Sequence, residues 1–489
     1  MVQKDSNICI PYGDYMEKWV ADWLAEQRRK GIRQLEVKRS NNAYYVYRST
    51  TRWDRELKKR RKTSKYVGRL DREKGLVESS RKVLSAIHPR SVFRYGDALL
   101  LHKSMESLLP ILREAFPGIW QELYAVSLVR ITGHVPLKRV RSRWEKLYNP
   151  DAMTPSLEPT HLPDVLRMTG VDRDGQRTVF GALMKGEQFA YDITAVFTRS
   201  TMNIADLGHN RSGLHVPQVN LILLSSVTEH TPSMIRAVPG SIGDVSTLIK
   251  SLSDIDLRGI ILVLDRGFFS EDNIDELMDG GLNFIMPARR NSLLYGRVAR
   301  KLTGHLFYQD RLVRFSKKRA GRRFLYLYQD SMLAREEENT LYRMLDDGKL
   351  DNDEFRERMW KAGKILIISN MDTDGKRVYE MYKGREDVEQ QFDTFKSTLH
   401  SDIMYLRDDE SVFGHMFVAF LSLYGYCTMQ NMLRKASLLE KVSPADLLEE
   451  FSSVYAITDG ERMIVTEVPR RARELDEQLG TNLFPKNES

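Results

Sequence analysis

The sequence predicts a mixed α/β protein, a mixed sheet with helices against it. Three observations carry this. Between about residues 177 and 290, short strand-like runs alternate with helical patterns. One of those runs, Gly259 to Leu264 (GIILVL), is continuously apolar, as in a strand buried on both faces. The 489 residues contain only two cysteines, Cys9 and Cys427. A disulfide framework and a cysteine-based zinc site are therefore excluded, and a chain of this length can bury a core without them. A reducing compartment is favoured.

Composition narrows the class. The chain is 42% hydrophobic and 29% charged, which suits a globular protein and not a disordered one. At about 150 residues per domain, three domains fit. The net charge of +8 is uneven: residues 1–70 hold 18 Lys+Arg and 8 Asp+Glu, a net of +10, so residues 71–489 carry −2. Localised positive charge points to nucleic acid or an anionic surface. Lys4 and Asp5 stand where a signal peptide would need an apolar run. The most apolar stretch, Phe413 to Met429, is shorter than the ~20 residues of a membrane helix, so it reads as a buried core helix and no membrane partner is expected. The Gly-Lys pairs at Gly348, Gly363 and Gly375 lack the Ser/Thr of a phosphate-binding P-loop. No G-x-G-x-x-G and no internal repeat occurs.

The elements follow in chain order. Asn42 to Thr50 suits a strand, the run Lys58-Lys59-Arg60-Arg61-Lys62 a turn or loop, and Lys65 to Leu70 a return strand. Tyr44, Tyr45, Tyr47, Trp53 and Tyr66 are interleaved with this charge. Cations for phosphates beside flat apolar partners for bases or sugars suggest a nucleic-acid surface. Leu99 to Phe116 reads as one helix stopped by Pro117-Gly118, Ile119 to Ile131 as another, and Asn149 to Gly175 as a linker. Strands are predicted at Gln188 to Phe197, Val216 to Ser225, Met234 to Val238, Gly259 to Leu264 and Leu282 to Met286, with helices at 244–253 and 270–279. Residues 290–361 break the pattern with basic β-like segments (Arg311 to Tyr328) and a charged helix (Met332 to Asp346). A strand returns at Lys364 to Ser369, and long helices run to about 437.

Three acids stand out. Asp192 lies inside an otherwise apolar strand; taken alone it also fits a cap or a salt-bridged surface acid. Asp265 ends the buried strand, at the carboxyl edge where open α/β sheets place ligands; taken alone it also fits a helix cap. Glu389 belongs to a helix whose Tyr382, Arg385, Glu389 and Lys396 fall at about 0°, −60°, −20° and −40°, one stripe roughly 60° wide. Val388, Phe392, Phe395 and Leu399 form an apolar face beside it. A solvated face with i,i+4 pairs is the simpler account, but Arg385 before Glu389 is the less favourable order for such a pair. Phosphoryl transfer on nucleic acid would use all these parts. Carboxylates suit hard divalent cations, and Arg and Lys grip the flanking phosphates.

The run Tyr382-x2-Arg385-x3-Glu389-x6-Lys396 resembles the Y-(2)-R-(3)-E-(6)-K signature of the insertion-sequence-four superfamily of DDE transposases. Asp192-Ile193-Thr194 and Leu264-Asp265-Arg266-Gly267-Phe268 are similar to the family's first two acid motifs. Gly208-His209-Asn210-Arg211 through Pro217-Gln218-Val219 resembles one subgroup but has Asn210-Arg211 where that subgroup has Ser-Lys, so no role transfers there. Pro239-Gly240 to Leu248 and Tyr44 to Tyr47 with Trp53 resemble the same subgroup, and the likeness covers roughly 40–435. His209 and His215 alone are too few for a metal site.

The resemblance implies an RNase H-like mixed-sheet catalytic core interrupted by a β-rich insertion between Asp265 and Glu389, which are 124 positions apart. The expected organisation is a basic, partly β DNA-binding region at 1–75, helices and linker at 76–176, core at 177–289, insertion at 290–361, core with the catalytic helix at 362–437, and a tail of unassigned role at 438–489. It implies Asp192, Asp265 and Glu389 as catalytic residues holding two Mg²⁺ ions, with Mn²⁺ able to substitute. Tyr382, Arg385 and Lys396 are expected at the phosphates, and the basic run Lys58, Lys59, Arg60, Arg61 and Lys62 on DNA. Trp360, the single Trp of the insertion, is expected either to stack near a flipped base or to anchor the insertion's core. The implied function is a cut-and-paste transposase that binds terminal inverted repeats and joins the 3′-OH to target DNA. A homodimer in the synaptic complex and a cytoplasmic, nucleoid-associated place in a bacterial or archaeal cell are also implied. Another RNase H-like DNA nuclease, or a catalytically silent DNA-binding descendant, remains an alternative.

Overall fold

The computed structural model describes residues 17–40, 43–54, 59–78, 90–133, 135–198, 203–207, 217–240, 259–298, 301–398, 403–404, 406 and 408–484. The chain divides into two compact units, one of residues 1–92 with 456–464, the other of 93–455 with 465–489. The predicted helix at 244–253, Lys58, His209, His215 and Leu399 lie outside the described residues.

The first unit holds helix α1 (Lys18–Arg29) and a four-stranded antiparallel meander, β1 (Leu35–Ser40), β2 (Ala43–Asp54), β3 (Lys59–Asp71) and β4 (Gly75–Glu78). Alternate residues of β2 face opposite ways. Tyr44 and Val46 turn inward with Val67 and Leu70, against Val20 of α1. The basic run is not a turn. From Lys59 onward it is the start of β3, and Arg60 and Lys62 stand opposite Trp53 and Thr51. Cross-strand pairing with β-branched and aromatic neighbours outweighs the charge that suggested a loop.

The second unit opens with strand β5 (Ser91–Arg94), which begins at the boundary between the units, and helices α2 (Gly96–Met105), α3 (Leu108–Ala115), α4 (Trp120–Ile131), α5 (Leu137–Trp144), α6 (Leu162–Val171) and α7 (Arg173–Leu183). The single helix expected over Leu99 to Phe116 is two. Pro110 supplies no N–H, and its ring conflicts with the carbonyl four residues back, so the chain breaks at Glu106-Ser107. The expected linker is also partly helical. Residues 149–161 are irregular, but Gly170 lies inside α6 and Gly175 inside the capped first turn of α7, where the Asp172 side chain accepts from Gly175 N at 2.8 Å. Gly170 serves close packing. A Cβ there would stand 1.8 Å from the Glu410 carbonyl oxygen.

The strands of this unit are β6 (Gln188–Thr198), β7 (Asp206–Leu207), β8 (Pro217–Ser226), β9 (Thr231–Pro239), β10 (Ile261–Val263), β11 (Asn283–Pro287), β12 (Gly304–Tyr308), β13 (Arg311–Ala320), β14 (Arg323–Asp330), β15 (Lys364–Ser369) and β16 (Ile403–Met404). They form one mixed sheet in the order β12-β13-β14-β15-β11-β10-β6-β8-β7, with β9 on β8 and β16 on β6. β10 runs parallel to both β6 and β11, and β8 runs antiparallel to β6. This large mixed sheet is consistent with an RNase H-like core. Strands from 290–361 extend the same sheet: β14 pairs with β15, and β15 with β11.

Helices α8 (Glu271–Asp279), α9 (Ser331–Asp346), α10 (Asn352–Lys361), α11 (Gly375–Lys383), α12 (Glu386–Asp393), α13 (Asp409–Lys435), α14 (Pro444–Ser452) and α15 (Arg470–Leu479) complete the described elements of this unit that bear on the site. α13 is 27 residues, longer than its apolar stretch suggested, and by length and composition it could cross a membrane. Here it lies mostly buried in the core beside α6, where Gly414 would meet the Leu166 carbonyl oxygen at 1.8 Å if it carried a Cβ.

Candidate active site

Sheet register brings the first two acids together. Parallel pairing aligns Val263 of β10 with Ala190 of β6. Two residues further along each chain lie Asp265 and Asp192. With a side-chain period of two, both point to the same side of the sheet. Asp192 is buried, and its Oδ1 accepts the Ile193 N–H at 2.9 Å. Asp265 follows β10 in extended conformation, before a turn in which Phe268 packs on Tyr191 with rings 5.2 Å apart.

The stripe of Tyr382, Arg385, Glu389 and Lys396 does not ride on one continuous helix. Tyr382 lies in the last turn of α11, Arg385 caps α12, Glu389 sits in the first turn of α12, and Lys396 lies in a π-helical turn, Thr394–Thr398. Gly384, at the junction of α11 and α12, is closely packed. Gly384 comes so close to Val227 that a Cβ would stand 2.2 Å from its Cγ1. The π turn adds a residue to the helical ring, which rotates Lys396 relative to an α-helical path. The apolar face is as expected, with Val388, Phe392 and Phe395 buried.

The side chains still converge. Arg385 Nη2 lies 2.8 Å from Glu389 Oε1 and 3.4 Å from Asp265 Oδ1. Burial opposes the charge of Arg385, but Asp265, Glu389, Asp192 and Tyr382 outweigh it and raise its pKa. The i,i+4 pair therefore forms despite its order, and it extends across the site. Arg385 Nε and Nη1 are buried with no hydrogen-bond partner in the described residues. The Lys396 ammonium donates to Thr194 Oγ1. Asp192 and Thr194 share one face of β6, which accounts for the Asp-x-Thr spacing.

Other residues fix α12 that the sequence did not single out. The His230 ring and the Asp387 carboxylate are 2.5 Å apart, and Arg434 Nη2 lies 3.7 Å from the same carboxylate. Ser225 Oγ donates to Gln391 Oε1 at 2.8 Å. These contacts tie the β8–β9 hairpin to the helix bearing Glu389. The signal available beforehand was an Asp two residues before the candidate acid, which puts it on another face of the helix.

Trp360 lies half-buried in the last turn of α10. Its ring meets Tyr295 edge-on at 6.1 Å, and Lys364 Nζ lies 4.3 Å from its centre while donating to its carbonyl. In the basic run, Arg60 and Lys62 are exposed on β3 in the other unit, and the side chains of Lys59 and Arg61 lie outside the description.

Three carboxylates are the right donors for a hard divalent cation such as Mg²⁺. Among the described residues, however, no three His, Cys, Asp or Glu side chains are grouped as a ready ligand set. Arg385 stands between two of the acids instead. The donor chemistry fits; the present spacing is that of an arginine-bridged acid cluster.

Residues 187–424 match the family model of the transposase DDE domain, and this span includes all three acids. The match supports a DDE transposase, an enzyme of the nuclease and transposase class. A solved structure of a piggyBac transposase synaptic complex with hairpin DNA is similar at TM-score 0.39 and 11% identity, covering 80% of this chain and 86% of that one. No curated protein matches.

Proposed function

We propose that this chain is a cut-and-paste DNA transposase of the insertion-sequence-four superfamily, with Asp192, Asp265 and Glu389 as its catalytic acids. The observation that carries the reading is that Asp265 follows β10, the parallel neighbour of the β6 strand that holds Asp192, with Arg385 linking Asp265 to Glu389. The three carboxylates would hold two Mg²⁺ ions, with Mn²⁺ able to substitute. When bound, such ions polarise a phosphate and activate a water or a 3′-OH. The remaining work falls to the chain. Arg385 offers two buried, unpartnered nitrogens, Nε and Nη1, to phosphate oxygens. Lys396, held on Thr194, adds a second cation beside Asp192. Tyr382 borders Arg385 and positions the same phosphates.

The DNA partners are the terminal inverted repeats and the target duplex, with the ends read mainly by the basic first unit. Joining two ends calls for a homodimer, and the setting is a bacterial or archaeal nucleoid. Replacing any one acid by Ala is expected to abolish nicking in Mg²⁺ while DNA binding survives. Pre-cleaved ends should be joined to a target plasmid by the native protein. A variant that nicks at the native rate removes that acid from the mechanism. Cleavage without joining would instead indicate another RNase H-like nuclease.

A further inference from the structure

The four-stranded sheet of the first unit has two unlike faces. One packs on α1. The other is set by register. Tyr47 pairs with Tyr66, Ser49 with Ser64, Thr51 with Lys62 and Trp53 with Arg60, while Lys38 and Glu36 of β1 stand opposite Tyr45 and Tyr47. Side-chain contacts agree that these residues share a face. Tyr66 meets Tyr45 at 6.1 Å and Tyr47 at 5.5 Å between ring centres. Lys38 Nζ lies 5.1 Å from the Tyr47 ring centre, and Ser49 Oγ bonds Ser64 Oγ at 2.8 Å. Glu36, on the same face, accepts from Ser49 at 2.7 Å and pairs with Lys62 at 2.8 Å. Trp53 is 61% exposed and Tyr66 37%.

We propose that this outer face is where duplex DNA docks, deepening the proposed transposase reading, on which it rests. Three features favour a duplex. First, the segment carries a net +10 within 70 residues, complementary to a phosphate backbone. Second, the β2–β3 ribbon is long: the 12 residues of β2 extend roughly 40 Å at about 3.3 Å each, close to one helical turn of B-DNA. A two-stranded ribbon also fits the major groove. Third, cations and aromatics are ordered along it. Lys38, Arg60 and Lys62 can reach phosphates, and the tyrosines and Trp53 offer flat apolar surface and hydroxyl donors to sugars and base edges. Lys62 exchanges its Glu36 partner for a phosphate on docking.

The test uses the full chain and a 30-base-pair mixed-sequence duplex, read by fluorescence anisotropy across a salt series. The variants are Lys38→Gln/Arg60→Gln/Lys62→Gln and Tyr45→Ser/Tyr47→Ser/Tyr66→Ser, with circular dichroism to check folding. If each cation meets one phosphate, the first variant lowers the slope of log K against log salt by about 2.5–3. The second weakens binding about tenfold or more with little change in slope. A native chain that binds while both folded variants bind equally well overturns this face and leaves the transposase reading standing. A native chain that binds no DNA sinks both. Loss confined to a single-stranded 30-mer, with duplex binding intact, overturns the duplex assignment. Should the tyrosine variant unfold, Tyr45→Phe/Tyr47→Phe/Tyr66→Phe keeps the rings and tests the hydroxyls through the same slope and affinity.

Discussion

Arg385→Gln separates two roles of one guanidinium. In the free protein it bridges Glu389 and Asp265 at 2.8 and 3.4 Å. Its side chain is 10% exposed, against 26% for Asp265 and 45% for Glu389. At an effective dielectric of 20, a pair at such range attracts by roughly 4–6 kcal/mol. Desolvation of the guanidinium and solvent screening of the half-exposed Glu389 take back most of this, leaving a net of about 1–3 kcal/mol. A divalent cation binding the same carboxylates must first overcome that pairing. Glutamine keeps the aliphatic stem and some hydrogen bonding but is shorter and removes the competing charge. The DNA-free variant is therefore expected to bind Mn²⁺ about 5- to 150-fold more tightly.

Isothermal titration calorimetry with Mn²⁺ on the full chain, supported by the paramagnetic signal of free Mn²⁺, measures this directly. Nicking should fall in the same variant, because the phosphate loses its buried donor. The two readouts move in opposite directions, which a simple folding defect does not produce. Unchanged or weaker Mn²⁺ binding in folded Arg385→Gln refutes the competition. Asp265→Asn supplies the control, since it loses a ligand and should bind less.

Other substitutions probe the scaffold. His102 is buried on Tyr124 at 3.0 Å, and burial lowers its pKa to about 4. A depressed histidine stabilises the fold fully above its unfolded value near 6.5, and that contribution, about 3 kcal/mol, is lost as pH falls from 6.5 to 4. The melting midpoint of the native chain should drop across that window, and His102→Phe should lose that part of the drop. Gly170→Ala and Gly414→Ala each force a Cβ to within 1.8 Å of a facing carbonyl oxygen, so each is expected to cost about 3 kcal/mol or more in thermal unfolding. Trp360→Ala should cost about 2 kcal/mol from lost contact with Tyr295 and Lys364. A gel assay of cleaved ends then separates its roles: hairpin products should decline while first nicks persist, and an unchanged product profile leaves Trp360 a packing residue only.

The legible parts of the sequence were those whose cause is local. Lys364 to Ser369 is read directly as a strand because all the information lies in six residues of apolar β-formers. Asp265 could be placed at a strand's carboxyl end for the same reason. The illegible parts have causes far away in sequence. Position 384, between α11 and α12, must be glycine because Val227 occupies the space where a side chain would be. Gly170 and Gly175 looked like linker residues, yet one permits a close helix crossing and the other packs on Phe116. Charge was misleading where pairing decided: Lys59 to Lys62 is strand because β2 lies alongside. The stripe Tyr382 to Lys396 was found with the wrong geometry, a single helix. Its residues still approach the acids across a break after α11 and a π turn after α12: Arg385 reaches Asp265 and Glu389, and Lys396 reaches Thr194.

That convergence bears on the distribution of charge. A cluster of three carboxylates beside the central strands of a sheet repels itself, and the cost grows as water is excluded. Here Arg385 supplies the neutralising charge from within the chain, and Lys396 stands on Thr194 beside Asp192. The body of the protein can therefore hold its acids together at a net charge near zero. The surplus cations are in the first unit, where β2 and β3 present some of them beside exposed aromatics. The exposed set is screened within about 10 Å at 0.1 M salt, whereas Arg385 is buried. Raising salt should therefore reduce DNA affinity steeply while changing the cleavage rate of saturated complexes little. Equal salt sensitivity of binding and of single-turnover cleavage would contradict this division of labour.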